Sequence, residues 1–390
     1  MSDNGTVEYT GEDKLVRITR TTLADGRDLI YFDDTDPYLS GESTRELSDP
    51  RDLPEASTLS EMRRDPLTGD WTVMAAHRMN RTFMPPANEN PLAPSKEGQL
   101  PTEVPADDYN VVVFENRFPS FSLHMDVPDD YDTTVDGEEI FVRQPAKARC
   151  EVVCFDPDVN HSFRDLSVKR ARTVIEVWAN RTKELSAIDG IRQVFPFENR
   201  GAEIGVTLQH PHGQIYTYPY LPARTAAIVR RAKAHREDTG RDLFEDVLAA
   251  EKRSGKRIVA ETEYFTAFVP AAAKWPVELM IMPNRDAKDF ADLTGKEKDD
   301  LAVLYLDMLA KVDNFFEGVE KTPYIAGWNQ APVGEDRQYG RFHLQLFSLM
   351  RSPNRMKFLA GSESAMGAWI SDTTPERIAE TLRNAPGRSK

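Results

Sequence analysis

Cysteine is nearly missing from this 390-residue chain: there are two, Cys150 and Cys154, too few for a disulfide framework and suited to a reducing compartment. Basic residues are outnumbered, 49 Lys and Arg against 64 Asp and Glu, which leaves a formal charge of −15. That balance excludes the basic footprint of a nucleic-acid or anionic-membrane binder. Any anionic ligand must be held by a few local arginines, lysines and backbone amides. No apolar run is as long as a membrane span, and the start, "MSDNGTVEYTGEDK", is acidic where a secretion signal carries basic and then apolar residues. The expectation is a soluble, cytoplasmic protein. What is present is 40% apolar content, enough to bury a core in two ordinary domains or one large one.

Histidine is also scarce, at seven residues, yet "QHPHGQIYTY" (Gln209 to Tyr218) spends two of them one residue apart. On a strand, side chains repeat every second residue, so His210, His212 and Gln214 would leave one face together. Around this stretch, "LVRITRTTLADGRDLIYFDD" reads as a hairpin turning at Asp25-Gly26, and "MRRDPLTGDWTVMAAHRMNR" as a second one turning at Asp65 to Gly69. "CEVVCF" reads as a buried strand whose two cysteines behave as small hydrophobes.

The chain also carries a weak internal repeat. "CEVVCFDPD", "DLS", a helix, "VFPFENRGAEIG" and "QHPHGQIYTY" are followed by "VELMIMPNR", "DLT", a helix, "YIAGWNQAPVG" and "FHLQLFSLM" in the same order. Ala171, Val174, Ile175 and Trp178 form an apolar stripe after an N-cap at Ser167; Leu301, Leu304, Tyr305, Met308, Val312 and Phe315 form one after a capping box of Thr294 and Glu297. Each copy is β-α-β-β, and the fold class is α+β: a mostly antiparallel sheet with crossover helices. The expected division is 1–222 and 223–390. In this alignment His343 matches His210 and Gln345 matches His212, so the second copy loses half of the pair and with it the nucleophile.

A histidine held as its neutral tautomer can attack phosphorus and split a hard transfer into two easier ones. Gly213 would let a phosphate approach the backbone, Gln214 can donate an amide N–H to a non-bridging oxygen, and "NRGAEIG" supplies small residues and amides to cradle a nucleotide. A His-x-His strand is equally a metal-site pattern, and two structural histidines beside a turn would look the same. Spacing alone leaves the three readings open.

"HPHGQIY", with Asn199-Arg200-Gly201 before it, "HRMNR" at His77 to Arg81 and "KFLAGSE" at Lys357 to Glu363, resembles the galactose-1-phosphate uridylyltransferase family, a tandem-repeat branch of the histidine-triad superfamily. The resemblance runs from about Met62 to Leu382. It implies a ping-pong exchange of UMP between UDP-glucose and galactose 1-phosphate, with His212 as nucleophile and Gln214 on the transferred phosphoryl group. It further implies substrate contacts from Asn199, Gly205 and Thr207, from Arg78, Arg81, Asn116 and Phe118 at the uridine and phosphate end, and from Lys357 and Glu363, which in the family reach a partner subunit's site in a homodimer. Ser362 and Trp369 depart from the family pattern and leave room for a related nucleotidyltransferase or phosphorylase, such as one using an ADP-sugar.

The family's structural zinc site is largely missing. Asn90 to Ala93 stand at the Cys-x-x-Cys position and Val159 at the third ligand, which leaves His210 and a nearby His161. At a second family metal site Asn329, Gln345 and Ile228 replace ligands while His343 remains. The expectation is no confident cofactor and a bound metal that is absent or weak. His77, His124 and His235 read as surface or loop residues, and Trp71, Trp178 and Trp275 as packing residues.

Overall fold

The computed structural model describes residues 8–45, 48–55, 60–76 and 89–388. Both hairpins form. Val16–Thr22 pairs with Asp28–Asp33 around a turn in which Gly26 has φ of 82°, the left-handed region open to glycine at no steric cost. Glu61–Arg64 pairs with Trp71–Met74 and belongs to a separate four-stranded sheet.

The main sheet has twelve strands, and every pairing in it is antiparallel. Its central part runs Val111–Glu115, Cys150–Cys154, His212–Tyr218, Gln193–Arg200, Tyr324–Asn329, His343–Ser348, Val277–Pro283. Both β-α-β-β copies are therefore real, and they meet strand to strand, Phe197 opposite Gly327 and Asn199 opposite Ile325. The crossover helices, Val168–Ser186 and Gly295–Asp313, pack on each other and on the same sheet face. Ser167 caps the first by accepting from Arg170 N–H, and Thr294 with Glu297 forms the capping box of the second.

The core lies between the sheet and these helices. Phe155, Phe163, Trp178, Phe290 and Trp328 interlock there at ring separations of 5.0–5.9 Å, geometry that adds to the gain from burial alone. Glu176, paired with Arg172 of its own helix at 2.7 Å, ties the two helices together through Lys298 at 3.0 Å. Cys150 and Cys154 are both buried, and burial pushes the Cys154 thiol well up, which keeps it protonated and unreactive.

The strand register corrects the match between the two copies. Phe197 and Gly327 each stand two residues before the asparagine of their copy, and they face Gln214 and Gln345 respectively. Gln345 therefore corresponds to Gln214, and His343 to His212; Arg341 stands where the first copy has His210. An alignment that lays histidine pairs over one another cannot see the cross-strand partner, and the partner decides.

Candidate active site

The strand that carries the histidine motif begins at His212, and its burial alternates so that His212, Gln214, Tyr216 and Tyr218 take one face while Gly213, Ile215 and Thr217 face the helices. His210 precedes the strand, on the far side of Pro211; it is buried, its ring meets Tyr109 and Asn90, and it lines one cavity together with His212. His212 and Gln214 remain together. Gly213 has a packing reason for lacking a side chain: a Cβ would lie 2.7 Å from Phe155 Cζ and 2.8 Å from the Phe197 carbonyl oxygen. The position its side chain would take is filled by the core.

His212 Nδ1 lies 2.8 Å from the His210 carbonyl oxygen. A carbonyl only accepts, so Nδ1 carries the proton and the Nε2 lone pair is left for a reacting atom. Burial holds the His212 pKa below its usual range, the bond to His210 partly opposing it, so the ring is neutral near pH 7. Neutral imidazole with a free Nε2 is the state a nucleophile needs.

Two cavities reach His212. One, of about 250 Å³, is lined by Leu92, Phe114, Val152 and Leu208 with Asn116, Phe118, Thr207, Glu103 and Gln214 among its other residues. The other, of about 420 Å³, is lined by Asn199, Arg200, His161, His210 and Lys321 among others. The smaller cavity, which mixes apolar walls with Arg117, Glu103 and amides, suits a nucleoside on one side of the histidine, and the larger, with Arg200 and Lys321, suits charged groups on the other. Asn116 Nδ2 donates to Gln214 Oε1 at 3.5 Å, which leaves the Gln214 amide hydrogens to donate elsewhere; Asn116 Oδ1 accepts from Phe118 N–H at 2.9 Å. Gly205 closes the turn after Ala202–Ile204 with φ of 83°, two residues before Thr207.

Other expected residues lie apart. Lys357 and Glu363 are buried against each other at 2.9 Å, and neither lines a cavity that reaches His212. The Lys357 ammonium, with the Ala360 and Ile370 N–H groups, holds the Glu363 carboxyl down at about 2. Arg78, Arg81 and His77 lie outside the described residues. His124 and His235 pair with Glu115 and Asp246; Trp178 is buried and Trp275 stacks on Phe347.

The residues present do not fit the family's zinc. Asn90, at the first cysteine position, places its Nδ2 3.4 Å from His210 Nδ1 and donates to the Gln209 carbonyl at 3.0 Å. Tyr109 Oη lies 2.6 Å from His210 Nε2. An amide stands at one thiolate position, alanine at the other, and a phenol takes the second ring nitrogen of His210. His161 faces Asp156 and Asp158 at 3.4 and 3.6 Å, and among the described residues no three His, Cys, Asp or Glu side chains converge. With desolvation dominating, the His210 pKa is pushed down to about 3. Around His343, Gln345 Nε2 donates to Glu278 at 2.7 Å, and Ile228 packs with Phe244 and Leu248.

Two residues of the site carried no sequence signal. Tyr109 reads as the approach to a strand, and nothing local marks its hydroxyl as a partner of a residue 101 positions on. Glu198 lies in the "FENRG" stretch, yet only the structure shows it buried beside the larger cavity with its pKa pushed up to about 7, Arg200 and the Tyr324 hydroxyl opposing the shift.

The sequence matches family models for the N-terminal domain of galactose-1-phosphate uridyl transferase over residues 50–222 and for its C-terminal domain over 228–388. The galactose-1-phosphate uridylyltransferase of Streptomyces lividans is 41% identical over 374 residues, covering 94% of this chain and 97% of its own. The Thermotoga maritima enzyme of the same name is 33% identical over 83% of this chain and 98% of its own. A solved uridylyltransferase structure superposes with a TM-score of 0.71 at 28% identity, covering 83% and 97% of the two chains. An ADP-glucose phosphorylase from Arabidopsis thaliana, at 21% identity and a TM-score of 0.60, shares the fold. The family models span both halves of the chain, and the relatives cover most of its length: this chain belongs to the galactose-1-phosphate uridylyltransferase family of nucleotidyltransferase enzymes.

Proposed function

We propose that this enzyme exchanges UMP between UDP-glucose and galactose 1-phosphate through a uridylyl-histidine intermediate on His212. Nε2 attacks the α-phosphorus; the N–P bond forms as the bond to the bridging oxygen breaks, and glucose 1-phosphate leaves with that electron pair. A phosphate oxygen of galactose 1-phosphate then displaces the imidazole, giving UDP-galactose and restoring neutral His212. Gln214 donates to the non-bridging oxygens, where charge builds up. Asn116 and Phe118 hold the nucleoside side; Asn199 and Thr207, with Gly205 shaping the turn, hold the phosphate and sugar side; Arg78 and Arg81 serve the uridine and phosphate end. The observation that carries this reading is the His212 tautomer, fixed by the His210 carbonyl.

The remaining assignments belong to the same proposal. Residues 1–222 form the catalytic repeat and 223–390 a repeat with no working nucleophile. Lys357 and Glu363 act from a homodimer arm, a role consistent with the exposed apolar side chains around them, Phe358 at 88% and Met366 at 80%. The setting is cytoplasmic; among the described residues no helix is long and apolar enough to cross a membrane. The test is isotope exchange: labelled glucose 1-phosphate should enter UDP-glucose with no galactose 1-phosphate present, as only a covalent intermediate permits. Exchange that requires the second sugar phosphate, or that runs with ADP-glucose and not UDP-glucose, would replace this reading by a sequential or adenylyl-transferring one.

A further inference from the structure

We propose that Tyr109 and Asn90 are positioning residues that fix the His210 ring, and through its backbone the His212 ring, without a metal. Tyr109 is 1% exposed, and its hydroxyl lies within 2.6 Å of His210 Nε2, 3.0 Å of the Asp156 carbonyl and 3.3 Å of the Leu92 carbonyl. A carbonyl takes the hydroxyl proton, so the phenolic oxygen accepts from His210 Nε2–H. Asn90 meets the other edge of the ring: Nδ2 faces His210 Nδ1 at 3.4 Å and donates to Gln209 O, while Oδ1 accepts from Leu92 N–H at 3.0 Å.

Both ring nitrogens are thus taken by neutral protein groups, and four segments of chain are tied to one imidazole: the loop at Asn90 to Leu92, Tyr109 before its strand, Asp156 after its strand, and the histidine turn. A zinc ion would need one of those lone pairs together with thiolate or further imidazole ligands. The protein uses hydrogen bonds for the same mechanical task. The consequence reaches the reacting atom because the backbone carbonyl of this clamped His210 accepts His212 Nδ1–H at 2.8 Å. Rotating that carbonyl re-aims Nε2, and a misplacement of about 1 Å can cost on the order of 100-fold in rate.

The test has two arms. In the first, the full chain purified with a chelator is assayed for metal, melted with and without one equivalent of zinc, and examined by imidazole ¹⁵N NMR. Negligible metal, an unchanged melting temperature and an unchanged Nε2–H tautomer at His210 are expected. Stoichiometric zinc whose removal lowers the melting temperature and changes the His210 tautomer would overturn the proposal. The second arm rests on the uridylyl-transfer reading and compares Tyr109→Phe and Asn90→Ala with the parent. The expected result for Tyr109→Phe is a uridylyl-transfer rate at least tenfold lower, a UDP-glucose KM within twofold, and a broadened His212 Nδ1–H signal. Asn90→Ala should shift both readouts the same way to a smaller degree. Both variants keeping the parent's rate and His212 signal would also overturn it. A parent that transfers no uridylyl group would sink the functional reading, while the metal and NMR results would still decide this one.

Discussion

His212 and His343 occupy the same place in their repeats, and each ring donates Nδ1–H over 2.8 Å to the carbonyl two residues back. Their surroundings differ. His212 opens onto two cavities, whereas His343 is 2% exposed with the Phe244 ring 5.8 Å away, and burial brings its pKa down to about 4. Gln214 keeps its amide hydrogens for a ligand; Gln345 gives its own to Glu278. Gly213 leaves room for Phe155, and Leu344 fills the core. The fold therefore supplies the reactive tautomer twice. Access and an uncommitted amide set the first repeat apart from the second, whose histidine and glutamine are packed away.

The sharpest way to break this comparison is to swap which histidine is removed. His212→Ala should lower kcat on the order of 10⁴-fold or more, as loss of a nucleophile does, with little change in stability. His343→Ala should leave kcat within about threefold and cost roughly 2–4 kcal/mol in urea unfolding, because it opens a hole in a packed interior. The glutamines should divide the same way on a smaller scale. Gln214→Ala is expected to cut kcat by roughly 10²–10³, the range for a lost oxyanion donor. Gln345→Ala should spare kcat and cost about 1–3 kcal/mol, since the Oε1 of buried Glu278 loses its donor while Oε2 keeps the Lys274 and Trp275 N–H groups.

Between them lies Gly213→Ala, which would press a methyl into Phe155 and the Phe197 carbonyl. About 1–3 kcal/mol of destabilisation follows from overpacking, read from the denaturation midpoint. The smallest expected effect concerns pH, where the two repeats act with opposite signs. Glu198 has its pKa raised to about 7, so its contribution to stability is full below about pH 4.5, its unfolded value, and is lost as pH rises through 7. His343, depressed to about 4, contributes fully above about pH 6.5 and loses that as pH falls toward 4. Glu198→Gln should therefore raise the melting temperature by about 2–4 °C at pH 8 and not at pH 5.

Much of this architecture is legible in the sequence because it rests on local signals. Turns at Asp25-Gly26 and Asp65 to Gly69, caps at Ser167 and Thr294, and apolar stripes at helical spacing all specify structure within a few residues. The site is less legible because it depends on partners distant in sequence. Period-two reasoning puts His210 beside His212, and both line one cavity, but the strand starts only after Pro211 and nothing local shows that the His210 ring is held by Tyr109 and Asn90. Gly213 suggests a phosphate contact by its neighbours, while its cause is the Phe155 ring on the opposite face. Lys357 and Glu363 are held by each other within this chain, so their expected work at a sugar phosphate needs a second copy of the arm.

Whether His212, and not its counterpart His343, is the nucleophile can be read by intact mass after incubation with UDP-glucose alone. The parent and His343→Ala should each gain one UMP, discharged by galactose 1-phosphate, and His212→Ala should gain none. An adduct that persists in His212→Ala, or vanishes in a folded His343→Ala, would contradict the account.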